Sequence, residues 1–250
     1  MPQAEDPKQA LPPDHTAELR ERVAVTQRAE ESLRILTARL LNLQDEERRR
    51  FARELHDSAG QLLTAMSMSL AVVEGESAKL SSQAAIALSD TNNLLQETLR
   101  EIRTISHLMH PPLLDEAGLT SAIRWYAEGY AERSKIRVIL NLAEDFGRLS
   151  REMETALFRI VQESLTNIHR HSESEVATIS LALSAKNAVL SIEDEGKGIP
   201  AEKLWEMQVE SLRGVGLPGM RERVRQLGGE FDLTSDSNGT RLSVKFPLPA

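Results

Sequence analysis

The sequence predicts an α + α/β chain, in which a helical hairpin, paired across a two-fold axis into a four-helix bundle, precedes an α/β sandwich. Three observations predict it. The chain runs from Asp14 to Ala59 without proline or glycine, with apolar residues stepping by three and four. A second stretch with the same period stops at Pro111-Pro112. Beyond the prolines, segments alternating with period two appear, separated by turn residues.

Residues 1–16 are expected to form a disordered leader, in which Pro12-Pro13 precede Asp14 and Thr16 as candidate helix caps. In the first helix Leu33, Leu36, Leu40 and Leu43 begin a stripe that Phe51, Leu55, Leu62, Met66 and Leu70 continue. Gly75 and the serine-rich Ser77–Ser82 break it. Leu88, Leu95, Ile102, Ile105 and Met109 then carry the second helix to the prolines. A hairpin with one apolar seam cannot bury that seam by itself, so a dimeric bundle is expected. Packing of the hairpin on the C-terminal half would also cover it.

Residues 115–134 read as a helix, Ile136–Leu142 as a strand and 151–171 as a helix. Val176–Leu183 and Ala188–Glu193 alternate as one strand pair, and Glu230–Ser235 and Thr240–Pro247 as another, around Asn238-Gly239. Between the pairs, 219–227 reads as a helix ended by Gly228-Gly229. One sheet with helices on one face follows. The expected domains are the leader 1–16, a helical domain 17–112 and an α/β domain 113–250.

Composition narrows the function. The formal net charge of −8 is the wrong sign for a chain that grips nucleic acid along its surface. There is no cysteine, which excludes disulfides, thiol nucleophiles and thiolate-bound zinc. The N-terminus has neither a basic nor an apolar signal region, and the most apolar run, Leu62–Val73, is short for a membrane span and holds Thr64, Ser67 and Ser69. A cytoplasmic protein without a membrane span or a direct nucleic-acid partner is expected.

Four constellations carry chemistry. On the first helix, Leu55, Ala59 and Leu62 face the seam, so His56 lies about 100° away, at its edge. An imidazole placed there is supported yet accessible, as a nucleophile requires. Asp57 would accept its ring proton or hold its tautomer, and Gln61, one turn later, would orient a water. A solvated surface histidine is the plain alternative. In the second, Glu163, Asn167, Arg170 and His171 fall on one helical face opposite Ile160, Val161, Leu165 and Ile168. Acid, amide and base in one stripe suit Mg²⁺ and phosphate, although amphipathic helices are common. In the third, Ile192-Glu193-Asp194-Glu195-Gly196-Lys197-Gly198 ends an apolar strand with an acid and two glycines. Asp194 would accept from an exocyclic amine, and Gly196 and Gly198 would let backbone approach a base; a simple turn is the alternative. In the fourth, Gly214, Gly216 and Gly219 precede a helix, where free N–H groups suit phosphate. The same letters satisfy G-x-G-x-x-G, but the polar approach Lys203–Arg213 lacks the strand a dinucleotide fold needs.

Together the four blocks resemble the bacterial two-component histidine kinases, specifically the nitrate-sensor-like subfamily, over roughly residues 40–248. ARELHDSAGQ is similar to the phosphoacceptor box, QESLTNIHRH to the N box, DEGKG to the G1 box and GVGLPGMRERV to the G2 box; Asn238-Gly239-Thr240 resembles the last phosphate-side loop. The resemblance implies a GHKL-type ATP-binding domain and a homodimer. It implies ATP-dependent phosphorylation of His56, with Asp57 as base, followed by transfer to an aspartate of a response regulator with a helix-turn-helix output domain. Gln61 would serve dephosphorylation of that partner. Asn167 would bind Mg²⁺ with Glu163 beside it. Arg170, His171 and Thr240 would meet phosphates and Asp194 the adenine, while Gly214, Gly216 and Gly219 would form the lid over ATP. A nucleotide-binding dimeric adaptor without catalysis, or a serine kinase sharing the ATP fold, would use the same second half.

Overall fold

The computed structural model describes residues 13–184, 186–209 and 216–248. Helix α1 spans Pro13–Glu54, starting three residues before the expected end of the leader. Proline suits a first helical position, because its fixed φ is helical and its missing N–H has no partner there. A single π turn, Leu55–Ala59, connects α1 without a break to α2, Gly60–Gly75. A short 3₁₀ turn, Ser77–Lys79, reverses the chain into α3, Ser82–Met109. Ser81 caps α3, its Oγ accepting from the Ala84 N–H at 3.2 Å.

Within one chain the hairpin closes on its inner edge only. Ala52 and Leu95 are buried, and the Ser106 hydroxyl donates to the Ala52 carbonyl at 2.8 Å. Leu36, Leu40, Leu43, Leu62 and Met66 remain more than half exposed. The alternative of packing on the C-terminal half is realised along the other edge, where Leu41, not one of the expected seam leucines, is buried against Gly219. No helix among the described residues is long and apolar enough to cross a membrane.

The expected helix 115–134 is two helices, α4 (Pro112–Glu116) and α5 (Leu119–Ser134). Gly118, at φ 84°, separates them, a conformation that a side chain would strain. Then follow β1 (Arg137–Leu142), α6 (Arg151–Asn167) and a second π turn (Ile168–Ser172). The rest is β2 (Val176–Leu183), β3 (Asn187–Asp194), α7 (Ala201–Val209), α8 (Gly216–Gln226), β4 (Glu230–Asp236) and β5 (Gly239–Pro247). Helix α7 occupies part of the polar approach that the sequence left without structure.

The strands form one sheet in the order β1-β2-β3-β5-β4, with β1 and β2 parallel and the other pairs antiparallel. Period two puts Ala177, Ile179 and Leu181 of β2, Leu190 and Ile192 of β3, and Val244 and Phe246 of β5 into the core. Against them pack Ile123 and Tyr126 of α5, Leu157, Phe158, Val161 and Leu165 of α6, and Met220 and Val224 of α8. The start of α6 is pinned twice: the Ser150 Oγ accepts from the Met153 N–H at 3.3 Å, and buried Glu154 takes two Arg148 N–H donors at 2.9 Å each.

Candidate active site

Two cavities draw residues from all four constellations. The first, of about 420 Å³, opens between α6, the π turn after it, the end of β3 and the start of α8. Glu163, Asn167, Arg170 and His171 line one side, and Asp194, Gly198 and Thr240 the other, with Gly216 at its edge. The helical face expected of the first four survives although α6 yields to a π turn after Asn167. That wider turn carries Arg170 and His171, and such turns concentrate at functional sites. Ile192, Ile199, Leu217, Met220, Leu233 and Leu242 make the wall apolar.

Asp194 is 9% exposed. Its Oδ1 accepts from the Gly196 N–H at 2.9 Å. Burial pushes its carboxyl up from the ordinary value, while N–H donors from Gly196 and Thr240 pull the other way. The glycines beside it are sterically required. A Cβ on Gly196 would collide with the Ser172 carbonyl, and one on Gly198, at φ 69°, with that of Asp236. Ser235 ties the floor together: its Oγ accepts from the Ile199 N–H at 2.8 Å and meets the Thr240 hydroxyl at 2.8 Å.

The second cavity, of about 500 Å³, lies on the hairpin and is lined by His56, Asp57, Gln61, Thr64, Met68, Leu99, Ile102 and Arg103 among others. His56 sits in the π turn Leu55–Ala59, none of whose residues is buried. His56 and Asp57 are both exposed, and they form no hydrogen bond with each other among the described residues. On α3, His107 stacks edge-on against Trp125 at 4.6 Å. Its pKa is lowered first by burial, then by the nearby charges of His56 and Arg103.

An accessible imidazole on a helical stem, and a separate pocket with an acid at one end and amide, imidazole and guanidinium at the other, are what phosphoryl transfer between domains needs. Family models place the chain among known proteins. Residues 47–114 match one described as histidine kinase, and residues 152–250 match the histidine kinase-, DNA gyrase B- and HSP90-like ATPases. The chain belongs to the histidine kinases.

Among curated relatives, this histidine kinase is 30% identical to the sensor histidine kinase MctS of Rhizobium johnstonii, over 89% of this chain and 48% of that protein. It is 32% identical to the sensor protein VraS of Staphylococcus haemolyticus, over 82% of this chain and 56% of that one. It is also 32% identical to the signal transduction histidine-protein kinase/phosphatase UhpB of Salmonella typhimurium, over 85% of this chain and 41% of the relative. The chain therefore spans about half the length of the curated relatives it matches. A solved histidine kinase domain, from the Erythrobacter litoralis EL346 blue-light activated histidine kinase, is 20% identical with a TM-score of 0.49, covering 75% of this chain and 94% of that one.

The fourth constellation divides in the histidine kinase. Gly216 lines the first cavity, where a Cβ would collide with Glu163. Gly219 does not line it: it is buried and faces Leu41 of α1, because α8 has already begun and its turn carries that position to the stem side. Gly214 lies outside the described residues. Gly196 shapes the pocket through its fit under Ser172 without lining it. Sequence reasoning missed Arg103, Met220 and Leu217. Arg103 reads as one more charge on an exposed helix face, and only the register of α3 against α2 brings it to His56.

Proposed function

We propose that this chain, as a homodimer, uses ATP to phosphorylate His56 and passes the phosphoryl group to an aspartate of a response regulator with a helix-turn-helix output domain. The observation that carries the reading is the polarised cavity: one buried acid and glycine-tight backbone at one end, Asn167, Arg170 and His171 at the other, and aliphatic walls between. The exposed seam of Leu36, Leu40, Leu43, Leu62 and Met66 supports the homodimer, since a second hairpin would bury it. Residues 17–112 would then be the dimerisation and phosphotransfer domain and 113–250 the ATP-binding domain, both in the cytoplasm.

The residues present fit ATP and magnesium. Asp194 accepts from the adenine amine, with the ring between Ile192, Ile199 and Leu242. Arg170, His171 and Thr240 donate to the phosphates, and the glycine segment that includes Gly214 and Gly216 closes over them. Asn167 would hold Mg²⁺, with Glu163 ordering its water, and the ion supplies neutralisation of phosphate charge. A nitrogen of His56 attacks the γ-phosphorus; the bond to the β-phosphate oxygen breaks and ADP leaves, while Asp57 takes the ring proton. The phosphoryl group then passes from the imidazole to the partner's carboxylate. Gln61, one turn after Asp57, orients water against the phosphorylated partner, which adds a phosphatase activity of the kind that the name of the Salmonella relative records.

The test is incubation with γ-labelled ATP. Wild type is expected to take up acid-labile, alkali-stable label, and His56→Gln and Asn167→Ala none. Label of unchanged amount in His56→Gln would overturn the proposal, as would an acid-stable product.

A further inference from the structure

We propose that Asp45 of α1 is a latch that holds the ATP-binding domain against the stem, away from His56, by gripping both helices that form the nucleotide pocket. This rests on the kinase reading above.

The carboxylate of Asp45 meets two arginines from the second half of the chain. Its Oδ1 accepts from Arg159 Nε of α6 at 2.8 Å, and its Oδ2 pairs with Arg223 Nη1 of α8. Side chains of Arg159, Arg223 and Asp45 are 5%, 12% and 14% exposed. A guanidinium this enclosed is costly without partners, and burial is the largest influence on Arg159, lowering its pKa. Its other two nitrogens also donate: Nη1 to Gln162 Oε1 at 2.7 Å, and Nη2 to the Met109 carbonyl at 2.8 Å. Gln162 in turn donates to the Leu108 carbonyl at 2.9 Å. Thus α6 grips the end of α3 as well as α1.

These helices are the ones that meet nucleotide. Arg159 lies one turn before Glu163 and two before Asn167, which line the cavity, and Arg223 lies on the helix whose Gly216, Leu217 and Met220 line its other wall. In the latched arrangement the two reacting groups belong to different cavities. Among the described residues none lines both cavities. The turn bearing His56 packs on α1, α2 and α3. Along the stem, Asp45 and His56 are eleven residues apart, about 16 Å at 1.5 Å per residue. In a parallel two-fold bundle the partner's equivalent histidine lies at the same level, so the separation applies to transfer within or between chains. A second contact, Arg49 with Asp115 at 3.0 Å, sits nearer the chain connection, where the domain can pivot without leaving the stem.

Because the chain has no cysteine, Glu30→Cys and Glu230→Cys, both exposed positions, accept a spin-label pair cleanly. Labelled protein is diluted into excess unlabelled chain, so that distances report one subunit. In Asp45→Asn the interdomain distance distribution is expected to broaden, and the rate of His56 labelling at saturating ATP to rise about tenfold, as loss of one charge-assisted pair allows. Arg223→Gln should do the same, and the double variant should add little; Asp45→Glu should restore the narrow distribution. Distances and labelling rate within twofold of wild type in Asp45→Asn, or slower labelling, would overturn the latch. A wild type that binds ATP without labelling His56 would defeat the kinase reading instead, and the distance measurement would still decide the latch.

Discussion

Replacing Asp194 with asparagine separates a ligand role from a scaffold role, because the two predict opposite signs. Asparagine keeps an oxygen for the Gly196 N–H that Asp194 Oδ1 now accepts at 2.9 Å, so the local turn survives. What it loses is a charged acceptor facing the cavity, replaced by an amide that can present donors to another donor. A hydrogen bond to a charged group contributes about 1.5–3 kcal/mol, which corresponds to about 10- to 150-fold in nucleotide affinity. Stability should move the other way. Burial raises the Asp194 pKa in the folded protein, so the folded chain binds this proton more readily than the unfolded one. The carboxylate therefore costs stability above its folded pKa, and the cost disappears as pH falls below that value. The variant should melt at the wild-type temperature or above it at neutral pH, with the gap closing in acid. Titration with a fluorescent ATP analogue, paired with thermal melts across pH, reads both. Affinity within twofold of wild type would refute the placement of Asp194 at the base, and a large fall in melting temperature would make it a scaffold residue.

Two other perturbations follow from the same geometry. Gly198→Ala adds a left-handed strain of about 1–2 kcal/mol and an overlap with the Asp236 carbonyl of about 1–3 kcal/mol; a drop of roughly 5–15 °C in melting temperature should result, and a loss under one degree would contradict the fit. His107 and His110 are both held below their ordinary value of 6.5, in each case first by burial, so the unfolded chain binds these protons more readily and stability falls as pH drops through and below 6.5. Urea midpoints measured from about pH 7 to about pH 5 should decline, and glutamine at both positions should flatten the slope; an unchanged slope would contradict it.

Much of the fold was legible because its signals are local. Pro111-Pro112 ended a helix where proline must, and period-two alternation marked four of the five strands with their hairpin partners. What was not legible depends on contacts between distant residues. Helix α7 carries Glu202 and Lys203, a polar face that reads like a loop until packing beside β4 selects it. The π turns at Leu55–Ala59 and Ile168–Ser172 have no compositional mark. That Glu163, Asn167, Asp194 and Thr240 line one cavity was readable, because acid, amide and glycine are unusual together. Its apolar wall was not, since Met220 and Leu217 look like any helix core. Gly219 shows the limit: the G-x-G-x-x-G spacing is a property of letters, while α8's rotation points that position at Leu41. In the sequence Asp45 is one acid at the head of a charged run, and only the fold brings Arg159 and Arg223 to it.

The central claim is that one imidazole on the stem receives the phosphoryl group. Purified chain incubated with magnesium and ATP, then digested under alkaline conditions and mapped by mass spectrometry, should carry a nitrogen-linked phosphate at His56 and at no other histidine. Nucleotide shown to bind while His56 stays unmodified, or a phosphate found on a serine or on His107 instead, would contradict it.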